Sequence, residues 1–305
     1  MGERFNSSCS IAMTHITLKK LVIIGVGLIG GSFALASRKA GIASYIVGVG
    51  RSRKNMQHAL DLGVIDEIAT DMASALRDAD FVLLAMPVGQ TENIMAQIAP
   101  HLETNTVISD AGSTKQDVVT AARNHLSNNL KNFVPGHPIA GAEYSGVLAA
   151  QDSLYAGKHV ILTPIEETHI AAIEITTLLW QVCGAVVSQM PVEEHDETLA
   201  ATSHLPHILA FALMNFLHNH SSQPENLLRF AGSGFRDFTR IASSSPEMWR
   251  DICLANREAL LKQMAAYQQE LISLQTILTN KDGEALEKSL SQAREMREKW
   301  LNRNN

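Results

Sequence analysis

The sequence predicts an α/β fold, a doubly wound and mostly parallel sheet, followed by an all-helical region. Three observations carry this. From Lys19 to about Met190 short β-branched and aliphatic runs alternate with longer helical stretches, the order in which strands and crossover helices follow one another. Most of those runs are apolar throughout rather than alternating, as strands covered on both faces must be. After Pro191 the strand text stops, and apolar residues recur at three and four, as in residues 197–217. The expected division is a loose leader over residues 1–17, a sheet domain over 18–190 and a helical domain over 191–305.

Taken in order, the strand candidates are LVIIG (Leu21 to Gly25), YIVGV from Tyr45, FVLLA from Phe81, TVISD from Thr106, FVPGH from Phe133, HVILT from His159 and AVVSQ from Ala185. In the helical part, Pro206 interrupts a helix, because proline removes a backbone donor. The text from Pro246 to Trp300 is helical around a turn at Asn280-Lys281-Asp282-Gly283. Residues 199–217 and 252–278 carry more Ala, Leu and Met than a small domain hides, so a second copy of the chain is the expected partner, giving a homodimer.

Composition narrows the class. A chain of 305 residues with 46% hydrophobic and 18% charged residues is a folded globular protein. A net charge of -6 without any Lys/Arg-rich run leaves no electrostatic footprint for nucleic acid. Cys9, Cys183 and Cys253 stand apart with no metal or disulfide spacing. No apolar run reaches the ~18 residues of a membrane span, and the opening residues lack the apolar stretch of a signal peptide. A cytoplasmic protein is expected, with Met13 as a second possible start.

Gly25-Val26-Gly27-Leu28-Ile29-Gly30 follows a strong strand and opens a helix, the context of a dinucleotide fingerprint and of a Rossmann-type domain. Gly25 permits the turn, Gly27 lets a pyrophosphate approach the backbone, and Gly30 packs helix on strand. The amides at Leu28 and Ile29 and the helix dipole then favour the diphosphate. The next strand end reads Gly48-Val49-Gly50-Arg51-Ser52-Arg53. It offers no carboxylate for the ribose hydroxyls, while Arg51 and Arg53 suit a 2'-phosphate. NADP or NAD is expected, NADP slightly favoured.

Further motifs follow predicted strand ends: Asp110-Ala111-Gly112-Ser113-Thr114-Lys115 and Gly136-His137-Pro138-Ile139-Ala140-Gly141, where open α/β sheets bind ligands. The helical half adds Ser203-His204-Leu205-Pro206-His207 and Gly234-Phe235-Arg236-Asp237-Phe238-Thr239-Arg240, followed by Ser245 to Asp251. In these motifs the chain resembles the prephenate/arogenate (cyclohexadienyl) dehydrogenase family, in its form without appended domains. That resemblance implies NAD(P)-dependent oxidative decarboxylation of prephenate to 4-hydroxyphenylpyruvate, or of arogenate to tyrosine.

The resemblance also assigns roles. His137 would accept the hydroxyl proton, helped by histidine's ordinary titration near ~6.5, and Ser113 would orient it. Arg240 would anchor a carboxylate, His207 and Ser203 would contact the substrate side chain, and Trp249 would wall the pocket. Glu143, close after the His137 turn, reads equally as a gate to the substrate site or as a solvated loop residue. Ala142 stands where many relatives carry Thr or Ser, so no hydroxyl contact is implied there. His204 and His207 with Glu194, His195 and Asp196 do not make a zinc site by spacing, and no metal is expected. A β-hydroxyacid-type dehydrogenase is the enzymatic rival, but residues 192–220 hold no lysine for its chemistry. A non-catalytic nucleotide sensor is the other alternative.

Overall fold

The computed structural model describes residues 17–141, 144–220 and 223–303. Most of the expected leader, with Cys9 and Met13, lies outside them, as do Ala142 and Glu143. Six parallel strands form the main sheet in the order β3-β2-β1-β4-β5-β6: β1 (Leu21–Ile24), β2 (Ile46–Val49), β3 (Glu67–Ile68), β4 (Phe81–Leu84), β5 (Val107–Asp110) and β6 (Phe133–Val134). Side chains of successive strand residues point to opposite faces. Leu21 and Ile23 accordingly enter one core with Phe33 and Trp180, while Val22 and Ile24 enter a second with Val82 and Leu84. Two covered faces explain why these strands read as unbroken apolar runs.

Helices α1 (Leu28–Lys39), α2 (Arg53–Asp61), α3 (Met72–Leu76), α4 (Thr91–Ile98) and α5 (Gln116–His125) connect these strands. The sequence reading missed β3, a two-residue strand too short to leave a pattern. FVPGH is not one strand. Pro135 has no N–H for a ladder, and the chain changes sheets there: Phe133–Val134 pairs with β5, while Gly136–Pro138 becomes β7 of a second sheet. There β7 runs antiparallel to β8 (His159–Leu162), which is parallel to β9 (Val186–Gln189) across helix α6 (Ile170–Val182). The expected single sheet is therefore two.

Next come α7 (Val192–Leu199), a π-helical turn (Ala200–His204), α8 (Leu205–Asn219), α9 (Pro224–Leu228), α10 (Ser233–Thr239), α11 (Pro246–Ala255), α12 (Arg257–Thr279) and α13 (Gly283–Arg303). The π turn meets α8 where Pro206 stands in its first turn, and Leu205 N–H reaches back to the Ala200 carbonyl. Lys281, with φ of +54°, makes the expected turn before α13. By compactness the chain divides into one unit of residues 17–198 with Arg240–Asn256, and another of Leu199–Thr239 with residues 257–303. A cut at 190 separates strand text from helical text, whereas α11 and all of α7 but Leu199 fall in the first compact unit. No described helix is long and apolar enough to cross a membrane.

Candidate active site

The turn after β1 is shaped by its glycines. Gly25 has φ of +102°, and a Cβ there would stand 2.6 Å from the Ala85 carbonyl group, so only glycine fits. A Cβ on Gly30 would overlap the Gly25 carbonyl oxygen and stand 2.7 Å from Ile23 Cγ2, which is close packing of helix on strand. A Cβ on Gly27 would meet nothing within 4 Å. Gly27 thus opens outward, and α1 begins with no side-chain cap and no acidic residue in its first turn. Uncapped amides at a helix start beside an open glycine fit a diphosphate. Asn55 Nδ2 braces the turn by donating to the Val26 carbonyl at 2.6 Å, and the Tyr155 hydroxyl donates to the Ile29 carbonyl at 2.6 Å.

Arg51 and Arg53 are exposed at the end of β2. Between them Ser52 caps α2, accepting from Asn55 N–H at 3.2 Å. A side chain at Gly50 would overlap Met56 Sδ, so the position usually held by a ribose-binding carboxylate is closed by a methionine.

The second cluster forms where β5 ends and β7 begins. Asp110 is buried, and its carboxylate accepts from Gly112 N–H at 2.8 Å, from Gly136 N–H at 3.0 Å and from the ammonium of Lys115. Lys115 is itself fully buried, which a charge tolerates only when paired. The pair ties the turn after β5 to the start of β7 and so fixes the backbone of His137. His137 is 8% exposed. Its Nδ1 lies 2.8 Å from Nε2 of His195 on α7, and His195 Nδ1 lies 2.8 Å from Oδ1 of Asp196.

Asp196 also caps another helix. Its carboxylate accepts the backbone N–H groups of Lys115 and Gln116 at 2.9 Å each, at the start of α5, and its own carbonyl accepts from Asn256 Nδ2 at 2.7 Å. Burial pushes the Asp196 carboxyl up, but the hydrogen bonds from His195, Gln116 and Lys115 outweigh that and hold it below the usual range. For His195, burial outweighs Asp196 and lowers the imidazole, favouring its neutral form.

Ser113 is half-buried in the turn after β5. Among the described residues it makes no hydrogen bond to His137, whose Nδ1 is engaged by His195. Arg240 is exposed at the start of the 3-10 turn Arg240–Ser243, and Trp249 is 6% exposed on α11; both belong to the first compact unit. Ser203 and His207 belong to the second, where His207 Nδ1 donates to the Ser203 carbonyl at 2.9 Å. That bond runs to the Ser203 backbone and leaves the direction of the Ser203 hydroxyl unassigned. The substrate-site reading missed His195, Asp196 and Asn256, and took Asp110 and Lys115 only as parts of a motif. The available signal was a His-Asp pair opening a helix, which had been weighed only as a metal site.

Residues 33–189 match the family model described as "Prephenate dehydrogenase, nucleotide-binding domain", and residues 191–292 the one described as "Prephenate dehydrogenase, dimerization domain". The chain is 39% identical to a prephenate dehydrogenase of Bacillus subtilis, over 91% of this chain and 75% of that protein. It is 35% identical to a cyclohexadienyl dehydrogenase of Zymomonas mobilis, over 88% and 91%. A crystal structure of Aquifex aeolicus prephenate dehydrogenase, in complex with hydroxyphenyl propionate and NAD+, superposes with a TM-score of 0.88 at 38% identity, covering 93% of this chain and 99% of that one.

Proposed function

This chain belongs to the prephenate dehydrogenase family, and from that premise we propose that it is a nicotinamide-dependent dehydrogenase performing the oxidative decarboxylation of a cyclohexadienyl substrate in tyrosine biosynthesis. Prephenate is the first candidate, since the Bacillus subtilis relative at 39% identity carries that name. The product would be 4-hydroxyphenylpyruvate with carbon dioxide. Arogenate, yielding tyrosine, is the second, since a Synechocystis arogenate dehydrogenase also superposes, with a TM-score of 0.78 at 28% identity.

The observation that carries the reading is the buried His137 imidazole of β7, held at Nδ1 by the buried His195 of α7. A proton acceptor is what oxidation of a ring hydroxyl requires. His137 takes the hydroxyl proton. Arg240 binds a substrate carboxylate through its planar fork, Ser113 orients His137, and Trp249 walls the substrate; Ser203, His207 and Glu143 are proposed from the sequence alone as further substrate residues. A dinucleotide bound at Gly25, Gly27, Leu28, Ile29 and Gly30 supplies the hydride acceptor. With Gly50 closed to a carboxylate and Arg51 and Arg53 exposed beside it, NADP is taken at least as well as NAD. Reduced-cofactor absorbance with prephenate and arogenate, each crossed against NAD and NADP, tests the whole reading. No turnover in any of the four combinations would overturn it.

The helical region pairs two copies of the chain. Supporting this, α12 buries only Leu260 within the chain and leaves Leu261, Leu271, Ile272 and Leu278 exposed, an apolar face that needs a cover. Light scattering at micromolar concentration should give twice the 33.2 kDa chain mass; a clean monomer would refute it.

A further inference from the structure

We propose that His195 and Asp196 act on the reaction through His137, as a positioning pair that fixes which ring nitrogen of His137 takes the substrate proton and shares the charge that forms. The inference rests on the reading of His137 as the proton acceptor. Asp196 already accepts two backbone N–H groups at 2.9 Å each, and an ionised carboxylate can only accept. The His195 nitrogen 2.8 Å from it, Nδ1, must therefore carry a proton. Being fully buried and held toward its neutral form, His195 then has its lone pair on Nε2. That lone pair meets His137 Nδ1 at 2.8 Å, so His137 donates there. Its own lone pair is left on Nε2.

The proton balance follows. As the substrate O–H bond breaks, the proton joins His137 Nε2, and the imidazolium charge is met by the His195 lone pair backed by Asp196. If the Nδ1 proton crosses to His195 Nε2, His137 returns to neutral and the cation sits against the Asp196 carboxylate. The other charged groups facing the pair are Asp110 and Lys115 from β5 and the turn after it, with Asp117 on α5 facing Asp196. Lys115 opposes a cation on His195, but Asp110 is paired with it in direct contact. A merely structural histidine pair would serve in either orientation. This chain of donors has one, because it ends on a carboxylate that is already committed.

The test uses the full chain with His195→Leu and His195→Gln, each checked for folding by thermal unfolding and for cofactor affinity. In the unsubstituted protein, ring 15N shifts of labelled histidine, assigned by loss of the His137 signals in His137→Asn, should show His137 protonated at Nδ1. In His195→Leu that preference should vanish, kcat should fall about 100-fold with little change in the Michaelis constant, and the acid limb of kcat should move to lower pH. His195→Gln, whose carbonyl can accept from His137, should recover about tenfold of the loss. A ring protonated at Nε2 would overturn the proposal, as would kcat losses in both variants with an unmoved acid limb. Should His137→Asn keep its turnover, the acceptor reading falls while the tautomer result stands, so the two fail separately.

Discussion

The glycine turn after β1 and the histidine cluster around His137 of β7 are assembled by opposite means. In the turn, six consecutive residues act almost wholly through their backbone: Gly25 supplies a positive φ, Gly30 a close contact, and Gly27 an open approach. In the cluster the work belongs to side chains brought from afar, His137 and His195 standing 58 positions apart and Lys115 and Asp196 81. A site made of backbone is written contiguously. A site made of a charge network is written only where each member happens to sit, and its members read as ordinary polar residues until the fold joins them.

If the cluster serves chemistry and the turn serves binding, substitutions should separate in kinetics. The largest effect is expected from His137→Asn. It should lower kcat about 10³-fold, the range of a lost acid–base group, and leave the Michaelis constant within a few-fold. Steady-state kinetics in which the two constants moved together would break the comparison.

Asp196 tests the cluster as architecture. Replacing it with Ala strands two backbone donors at the start of α5 and the His195 ring, at about 1–3 kcal/mol for each buried unsatisfied donor, so a loss of roughly 3 kcal/mol at pH 7 is expected. The sign with pH is fixed by its lowered folded carboxyl. Its stabilisation is complete above the unfolded value near ~3.9 and lost as pH falls through the lower folded value. Urea midpoints of the two proteins should differ by a constant amount down to about pH 5 and converge below it. A gap that did not narrow in acid would remove the carboxylate from the account.

Arg240→Gln should act on affinity, raising the Michaelis constant for substrate by about tenfold to a hundredfold, as a lost charge-assisted contact of roughly 1.5–3 kcal/mol implies. An unchanged constant would dismiss the anchor.

The fold was legible wherever burial is periodic. Strands β1, β2, β4 and β5 fall on the apolar runs to within a residue or two, because a strand covered on both faces reads as an unbroken apolar run; β8 and β9 were found by the same aliphatic text, although β9 is only partly covered. What escaped was tertiary in origin. β3 is defined by two residues that follow β2 in register, and the break at Pro135 becomes a change of sheet because Gly136–Pro138 pairs with β8, beside the Thr163 N–H bond to the Pro135 carbonyl at 2.9 Å. At the site, His137 was legible in its glycine-flanked motif. Asp196 was not, since its value lies in the start of α5, which it caps from another helix.

Within the turn itself, neighbouring glycines should divide structure from binding. Gly25→Ala places a Cβ against the Ala85 backbone at positive φ and should cost about 1–3 kcal/mol of stability. Gly27→Ala meets nothing within 4 Å among the described residues; its melting temperature should stay unchanged while dinucleotide affinity drops about tenfold. Calorimetric titration beside thermal unfolding reads both, and a Gly27→Ala protein with unaltered affinity would remove the diphosphate from the turn.

The smallest effect concerns cofactor choice, where the two modes of construction meet: a backbone position, Gly50, and an exposed side chain, Arg51. Met56 closes the space above Gly50, so no carboxylate selects for ribose hydroxyls or repels a 2'-phosphate. Discrimination must then come from a guanidinium in solvent, where a charge-assisted contact is screened and contributes only about 1–2 kcal/mol. The expected preference for NADP is roughly tenfold. Arg51→Ala should weaken NADP by about that factor and NAD by much less, with the difference shrinking as salt is added. Affinity titrations of both cofactors at two ionic strengths decide it. Equal losses would show that Arg51 shapes the loop or stacks on the adenine, and would return cofactor choice to the backbone side of the comparison.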